Sequence, residues 1–207
     1  PKASIYLAKI PISYLKSEAR SLKQNPETYA HRGCWFKGNV PENSLEAVRM
    51  AKRFGYKGIE CDVKYTADKV MVIMHDKTIN RMTNGKGLVS DITYDSLMTF
   101  NMRRAHNVTT DSIKVPTLRQ AFECCKDRIL INVDHAQNYY KEIVELAEEM
   151  GMTGQVLMKG KKSIDQVAAD MAPYKNNLLY MPIIDINKEK GQKLFYDYVE
   201  RGIAPLA

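Results

Sequence analysis

Residues 57–64 have the sequence KGIECDVK, in which apolar and acidic side chains alternate. Successive side chains of a β-strand point to opposite faces, so Glu60 and Asp62 would share one face while the apolar residues share the other. Two buried carboxylates this close repel each other unless a cation lies between them. The stretch therefore predicts a strand that is apolar on one face and carries a polar site on the other.

Strands and helices alternate along the chain on both sides of this stretch. The predicted strands are residues 28–33, 57–64, 69–74, 128–134, 155–159 and 178–186, and the predicted helices are residues 44–54, 94–100, 116–126, 139–150, 163–171 and 188–201. This alternation predicts parallel strands joined by right-handed crossovers. We expect an α/β fold of the (β/α)8, or TIM-barrel, class. A doubly wound open sheet is the alternative, but the glycine-rich phosphate turn of its nucleotide-binding versions is missing.

The length of the chain, 207 residues, is short for such a barrel. A (β/α)8 barrel usually takes about 250 residues and needs eight strands, of which six are visible here. We divide the chain into a lead segment, residues 1–27, and a barrel domain, residues 28–207. Three explanations stay open: the natural chain is longer, the lead segment completes the barrel, or the barrel is incomplete. The first is favoured because an uncovered edge of parallel strands is poorly tolerated.

The composition is typical of a globular protein, with 44% hydrophobic and 27% charged residues. No stretch is long and apolar enough to predict a transmembrane helix. The net charge of +7 favours an anionic ligand, but no basic run or aromatic-basic repeat indicates nucleic-acid binding. The four cysteines form no C-x-x-C pair, which argues against a zinc site. Removal of a signal peptide or trimming of the chain would each explain the start at Pro1, and a periplasmic or secreted location is favoured over a cytoplasmic one.

Polar residues gather at the ends of the predicted strands, where barrel enzymes place their functional side chains. In strand order these residues are His31 and Arg32, Glu60 and Asp62, His75 and Asp76, Asp134, and Lys159. Taken singly, each has a structural explanation, such as a packed histidine or an aspartate that caps the next helix. Taken together they indicate an active site. Oxygen-only ligands suit Mg²⁺ or Ca²⁺ better than Zn²⁺.

The motifs at these positions resemble those of the glycerophosphodiester phosphodiesterase family. They are HRG at 31–33 followed by PENS at 41–44, GIECDV at 58–63, HD at 75–76 followed by RMTNGKG at 81–87, and PTL at 116–118. The resemblance covers residues 28–137, with the motifs in order and at the expected intervals. It implies a barrel of the phospholipase C-like phosphodiesterase type that hydrolyses small glycerophosphodiesters, such as glycerophosphocholine, to an alcohol and glycerol phosphate.

The resemblance also implies a role for each matched residue. It makes His31 and His75 the general acid and base, in an order that the sequence does not assign. The implied ligands of a divalent metal, Mg²⁺ or Ca²⁺, are Glu60, Asp62 and Asp134, and the implied phosphate contacts are Arg32 and, supporting it from the first loop, Glu42.

The chain departs from the family pattern at residues 132–136, which have the sequence NVDHA where the family commonly has N-x-E-x-K. Asp134 replaces the expected metal-binding glutamate, and Ala136 replaces a lysine that would neutralise the phosphate. Lys159, at the end of the next strand, is our hypothesis for the substitute, the alternative being an ordinary surface lysine. His135 should alternate to the face opposite Asp134, so we expect it to be packed rather than catalytic.

Two further interpretations are kept open. The same barrel could cleave a phospholipid headgroup, as phospholipase D-type and phosphoinositide-cleaving relatives do. The loop that bears Trp35 and Phe36 is a candidate for the hydrophobic lip of such an enzyme, although buried aromatics are commoner. Alternatively, the altered strand could mark a non-catalytic protein that binds a phosphate ligand. The presence of both histidines and of the Glu60 and Asp62 pair argues against this last interpretation.

Overall fold

The computed structural model of the protein describes residues 5–8, 28–173, 179–201 and 204–206. Its strands are β1 (Ile5–Ala8), β2 (Tyr29–His31), β3 (Gly58–Tyr65), β4 (Met71–Ile73), β5 (Arg103–Arg104), β6 (Val108–Thr109), β7 (Leu130–Asp134), β8 (Val156–Gly160), β9 (Leu179–Ile184) and β10 (Ala204–Leu206). Its α-helices are α1 (Trp35–Gly38), α2 (Leu45–Arg53), α3 (Tyr94–Leu97), α4 (Leu118–Cys125), α5 (Tyr140–Glu149), α6 (Ile164–Met171) and α7 (Glu189–Glu200).

The main sheet has the strand order β10-β1-β9-β8-β7-β3-β2. The pairs from β2 through β3, β7 and β8 to β9 are all parallel. These five strands follow one another in chain order with helices between most of them, which is the arrangement of successive units in a (β/α)8 barrel. Beyond β9 the sheet continues with β1 and β10, which pair antiparallel.

The prediction that residues 69–74 form a parallel barrel strand is wrong. Only Met71–Ile73 form a strand, β4, and it pairs antiparallel with β3. The turn between the two strands is tight, with a hydrogen bond from the amide of Val70 to the hydroxyl of Thr66 and a left-handed φ of 62° at Lys69. A parallel connection needs roughly ten or more residues, so the short spacing of these strands already excluded one.

The chain between β3 and α4 forms a small additional unit with its own hydrophobic cluster. Its buried members are Val72, Met74, Ile79, Met82, Val89, Leu97, Met102 and Val115. Because the unit separates β3 from β7 in the chain but not in the sheet, Asp134 ends the third parallel strand of the described structure rather than the fourth. The described residues accordingly contain five parallel strands instead of the six that the sequence predicted.

Three of the helices that flank the sheet, α2, α4 and α6, begin at polar capping residues. Ser44 accepts a hydrogen bond from the amide of Ala47 at the start of α2. Thr117 and Ser163 each form a reciprocal capping box at the starts of α4 and α6. Such caps satisfy amides that the first helical turn leaves without a partner. The apolar faces of α2, α4 and α5 pack against the sheet in the main core. The polar residues of the strand ends lie outside this core.

The boundary between the lead segment and the barrel domain stays a prediction. Of residues 1–27, the structure describes Ile5–Ala8, which join the main sheet beside β9. Among the described helices, none combines the length and the apolar character needed to cross a membrane.

Candidate active site

The register of the sheet brings the predicted strand-end residues onto one face. Asp62 on β3 lies directly opposite Asp134 on β7. Glu60, two residues earlier, lies opposite His31 on one side and Asn132 on the other. Since side chains two residues apart share a face, the three carboxylates and His31 all belong to the same side of the sheet. All three carboxylates are buried.

The chain turns sharply at the end of β2. Arg32 has a left-handed φ of 56°, and its amide donates a hydrogen bond to Oε2 of Glu60 at 3.0 Å. The same carboxylate oxygen lies 3.8 Å from Nε2 of His31. Burial and the neighbouring Arg32 guanidinium lower the pKa of His31, so its imidazole is neutral at neutral pH. A neutral imidazole nitrogen is able to accept a proton.

A chain of ion pairs connects the two loops that carry the histidines. Nη1 of Arg32 and Nη2 of Arg81 both donate to Oε1 of Glu42, each at 2.8 Å. Arg81 also donates through Nε to Asp76 at 2.7 Å, and Asp76 accepts from Nδ1 of His75 at 2.7 Å. These contacts place Glu42 between the two arginines, and the supporting role that the family resemblance implies for it stays a prediction. Arg81 is the first residue of the RMTNGKG motif, and the sequence alone predicted no role for it in the site.

The electrostatics of the carboxylates differ within the site. Burial, reinforced by Asp62, raises the pKa of Glu60 to about 7. Burial also acts against ionisation of Asp62, but the imidazoles of His135 and His75 and the amide of Asn43 outweigh it and lower the pKa of Asp62. A bound cation would favour the ionised form of a carboxyl group whose pKa is raised by burial and by a neighbouring carboxylate.

Three side chains could hold a metal ion. One ligand atom each from Asp62, Asp134 and His135 lies within 4.8 Å of the others. Two carboxylates and an imidazole are a chemically suitable donor set for a divalent cation. This group contains two of the three predicted metal ligands. The third, Glu60, has its carboxylate directed to the amide of Arg32 and to His31.

The prediction that His135 packs away from the site is wrong. The strand ends at Asp134, and His135 adopts a left-handed φ of 55°, so the alternation of faces stops there. Its side chain is 46% exposed, with Nδ1 at 3.5 Å from Oδ1 of Asp62 and 3.6 Å from Oδ1 of Asp134. The only feature of the sequence that could have placed His135 in the site is its position immediately after the strand-end Asp134.

Lys159 lies inside the site rather than on the surface. Its Nζ is 2.7 Å from Oδ2 of Asp134, and the residue is only 9% exposed. Ala136, where the family commonly has a lysine, is fully buried at the start of a short 3-10 turn. A lysine ammonium therefore stands beside the carboxylates even though it comes from the next strand.

The profile of the glycerophosphoryl diester phosphodiesterase family matches residues 31–181 of this chain. The chain belongs to this family. The match begins at His31 and extends past Lys159, so it includes all of the strand ends described above. Family membership confirms the resemblance seen in the motifs.

A curated member of the glycerophosphoryl diester phosphodiesterase family is similar in sequence to this chain. Glycerophosphodiester phosphodiesterase 1 of Bos taurus is 38% identical over 115 residues, which are 54% of this chain and 34% of that protein. The chain thus spans about a third of the length of that curated relative.

Solved structures of the family share the fold. A glycerophosphoryl diester phosphodiesterase from Parabacteroides distasonis matches with a TM-score of 0.64 and 21% identity, over 93% of this chain and 66% of its own. A phosphodiesterase from Oleispira antarctica, solved with the product sn-glycerol-3-phosphate, matches with a TM-score of 0.55 and 22% identity, over 74% of this chain and 64% of its own. These likenesses confirm the predicted barrel class, of which the described strands form a part.

Proposed function

We propose that this protein hydrolyses glycerophosphodiesters to an alcohol and glycerol phosphate with the help of a divalent metal. The observation that carries the proposal is the convergence of His31, Arg32 and the buried carboxylates at the ends of β2, β3 and β7, within the residues that the family profile matches. The product bound to the Oleispira antarctica relative supports glycerol phosphate as the product here.

Arg32 is the residue that we expect to bind the phosphate. Its Nη1 is held by Glu42, while its buried Nε makes no hydrogen bond to any described residue. Nε lies 3.7 Å from Oδ2 of Asp62, which is too long for a hydrogen bond. A guanidinium fixed on one side and with a donor left on the other is suited to a charge-assisted bond to a phosphate oxygen.

The two histidines would transfer the protons of the reaction. His31, neutral at neutral pH because its pKa is lowered by burial and by Arg32, would remove the proton from water or from the neighbouring glycerol hydroxyl. Asp76 accepts from Nδ1 of His75, which fixes the orientation of the imidazole and leaves Nε2 to face the substrate. His75 would then protonate the leaving alkoxide through its other ring nitrogen.

The cation would be held by Asp62 and Asp134, with Glu60 beside them. These carboxylate oxygens favour Mg²⁺ or Ca²⁺. When bound, the ion would supply positive charge against the negative charge that develops on the phosphate oxygens.

Hydrolysis of a panel of glycerophosphodiesters by the EDTA-treated protein, with and without added Mg²⁺ or Ca²⁺, tests this function. We expect turnover that requires the metal, and a loss of at least about 100-fold in kcat for His31→Ala and for His75→Ala. His106→Ala, which changes a histidine of the additional unit, is the matched control. Activity that ignores EDTA would contradict the metal requirement. Absence of turnover with every metal would instead favour the phosphate-binding interpretation.

A second candidate substrate class, the phospholipid headgroup, is favoured by one surface feature. Phe36 on α1 is 78% exposed and follows the catalytic strand end by only a few residues. Trp35 contacts it edge to face, with 5.9 Å between ring centroids. A large exposed aromatic that lies close in the chain to the strand end at His31 is a candidate contact for a lipid surface.

Comparison of lysophosphatidylcholine micelles with glycerophosphocholine separates the two substrate classes. If lipid is the substrate, Phe36→Ser should lower kcat/KM for the micellar substrate and leave that for glycerophosphocholine unchanged. Leu179→Ser serves as the control, because Leu179 is also an exposed apolar residue but lies on β9. Equal rates for the wild type and Phe36→Ser on micelles would rule out the lipid-contact role.

A further inference from the structure

The backbone at the end of β7 directs an unexpected side chain into the site. His135 has a left-handed φ of 55°, which is unfavourable for a residue with a Cβ, and its amide donates to Oδ1 of Asp134 at 2.6 Å. Strained backbone of this kind persists where the surrounding structure holds it, often at functional sites. As a result of this backbone conformation, the imidazole of His135 turns back over the carboxylates at the ends of β3 and β7.

The spacing of the facing atoms is slightly wider than that of donors around one metal ion. Nδ1 of His135 lies 3.5 Å from Oδ1 of Asp62 and 3.6 Å from Oδ1 of Asp134. Donor atoms bound to one ion at about 2.1 Å lie about 3.0–3.4 Å from one another, whereas a direct charge-assisted hydrogen bond would bring them to about 2.7–2.9 Å. The observed separations are closer to the first arrangement.

Lys159 contacts one carboxylate oxygen of Asp134, and the other oxygen faces the proposed metal site. Its ammonium takes Oδ2 of Asp134 at 2.7 Å, while Oδ1 is the oxygen that faces His135. The carboxylate can therefore bind a cation through Oδ1 without losing its lysine partner. Because Asp134 is one methylene shorter than a glutamate, an added nitrogen ligand from the next residue would make up for its shorter reach.

We propose that Nδ1 of His135 binds the divalent metal together with Asp62 and Asp134. The proposal rests on the metal requirement proposed above. It widens the expected metal to transition metals, of which Mn²⁺ suits the two carboxylates and also accepts an imidazole, whereas Ca²⁺ prefers oxygen ligands alone. His135 would thus set the metal preference of this chain.

Electron spin echo envelope modulation of the Mn²⁺-loaded protein tests this directly, without any activity measurement. Nitrogen modulation from a bound imidazole is expected in the wild type and should disappear in His135→Asn. Asparagine is chosen because it tolerates a left-handed φ. His106→Asn, which changes another histidine with a positive φ, of 61°, should keep the modulation. Circular dichroism of the metal-free variants verifies that both are folded.

Equilibrium titration gives a second readout. His135→Asn should weaken Mn²⁺ binding by at least about tenfold, since even the loss of an outer partner of a metal ligand typically costs that much. Mn²⁺ bound without nitrogen modulation, or with modulation that persists in His135→Asn, would overturn the role of His135 while leaving the metal requirement intact. Failure of the wild type to bind Mn²⁺ while Mg²⁺ or Ca²⁺ still supports hydrolysis would overturn the role of His135 alone. Failure to bind any divalent ion would overturn both.

Discussion

Asp76 joins two side chains that approach it from different directions. One carboxylate oxygen lies 2.7 Å from Nδ1 of His75, and the other accepts from Nε of Arg81 at 2.7 Å. Hydrogen bonding from Arg81, with a smaller contribution from His75, lowers the pKa of Asp76. The carboxylate is therefore ionised under all ordinary conditions and can hold the imidazole in one orientation.

This lowered pKa predicts a pH-dependent contribution to stability. A carboxyl group whose pKa falls on folding stabilises the protein above its unfolded pKa, about 3.9, and the contribution is lost as the pH falls further. We expect Asp76→Asn to lower the free energy of unfolding at about pH 7, because the ion pair with Arg81 is lost. The loss should be only about 1 kcal/mol, because Arg81 is partly exposed and water screens the pair. Urea denaturation should show this difference narrowing toward about pH 3. An equal difference at both pH values would contradict the ion-pair explanation, and Asp91→Asn on the exposed surface is the control.

A second prediction at this scale concerns Lys159. If its ammonium replaces the lysine missing at Ala136, Lys159→Met should reduce kcat/KM by about 100-fold, as expected for the loss of a charged transition-state contact. Lys162→Met is a matched control, because Lys162 also forms a 2.7 Å ion pair, with Asp170, on the exposed surface. Steady-state kinetics would contradict the hypothesis if both kcat and KM of Lys159→Met equal those of the wild type.

The residues that the sequence could place were those that lie within strands. Glu60, Asp62 and Asp134 share a face because strand side chains alternate, and the register confirms this. His135 could not be placed in the same way, because its left-handed backbone ends the alternation. Lys159 was located on its strand, but its contact with Asp134 depends on which strands are neighbours.

At the scale of elements, Gly33 lies between β2 and α1 and packs against Ala47 of α2. Its φ is 76°, and a Cβ built on it would lie 2.7 Å from Cβ of Ala47. The next amide, that of Cys34, donates to the carbonyl of Ala47 at 2.9 Å. The glycine of the HRG motif is therefore required by close approach between strand and helix as well as by its backbone conformation.

Two glycine substitutions separate these causes. Gly55 has almost the same φ, 75°, but nothing lies within 4 Å of a Cβ built there. Gly55→Ala should therefore lose only the conformational contribution, about 1 kcal/mol, whereas Gly33→Ala should lose about 2–4 kcal/mol because overpacking is added. Thermal or urea unfolding of both variants measures the difference. Equal losses would mean that the contact with Ala47 relaxes without cost.

The element that the sequence assigned wrongly was β4. Its apolar composition is typical of a buried strand, and it is indeed buried, with Val72 in the cluster of the additional unit and Ile73 in the main core. Its direction follows from the short turn at Thr66–Lys69, which leaves no room for a crossover. Composition predicts that a segment is a strand, whereas the length of the connection decides whether it runs parallel.

The whole molecule carries a net charge of +7, which acts on a ligand before any contact forms. Such a field raises the association rate of anions and is screened by salt. We expect kcat/KM for glycerophosphoglycerol, which carries one negative charge, to fall severalfold between about 10 mM and about 300 mM NaCl. Glycerophosphocholine, which is zwitterionic, should respond much less. Identical salt dependence of the two substrates would show that the net charge does not steer the ligand.

The sequence by itself determined the family, the alternation of strands and helices, and the strand ends at which the site lies. These features are local, because motifs, caps and side-chain alternation depend on residues near one another in the chain. The reversal of β4 on β3 follows from the short connection between the two strands. Only the tertiary structure decided that Lys159 meets Asp134 and that His135 faces Asp62. Those contacts depend on which distant segments become neighbours and on a single left-handed residue after β7, and neither is encoded in a local pattern.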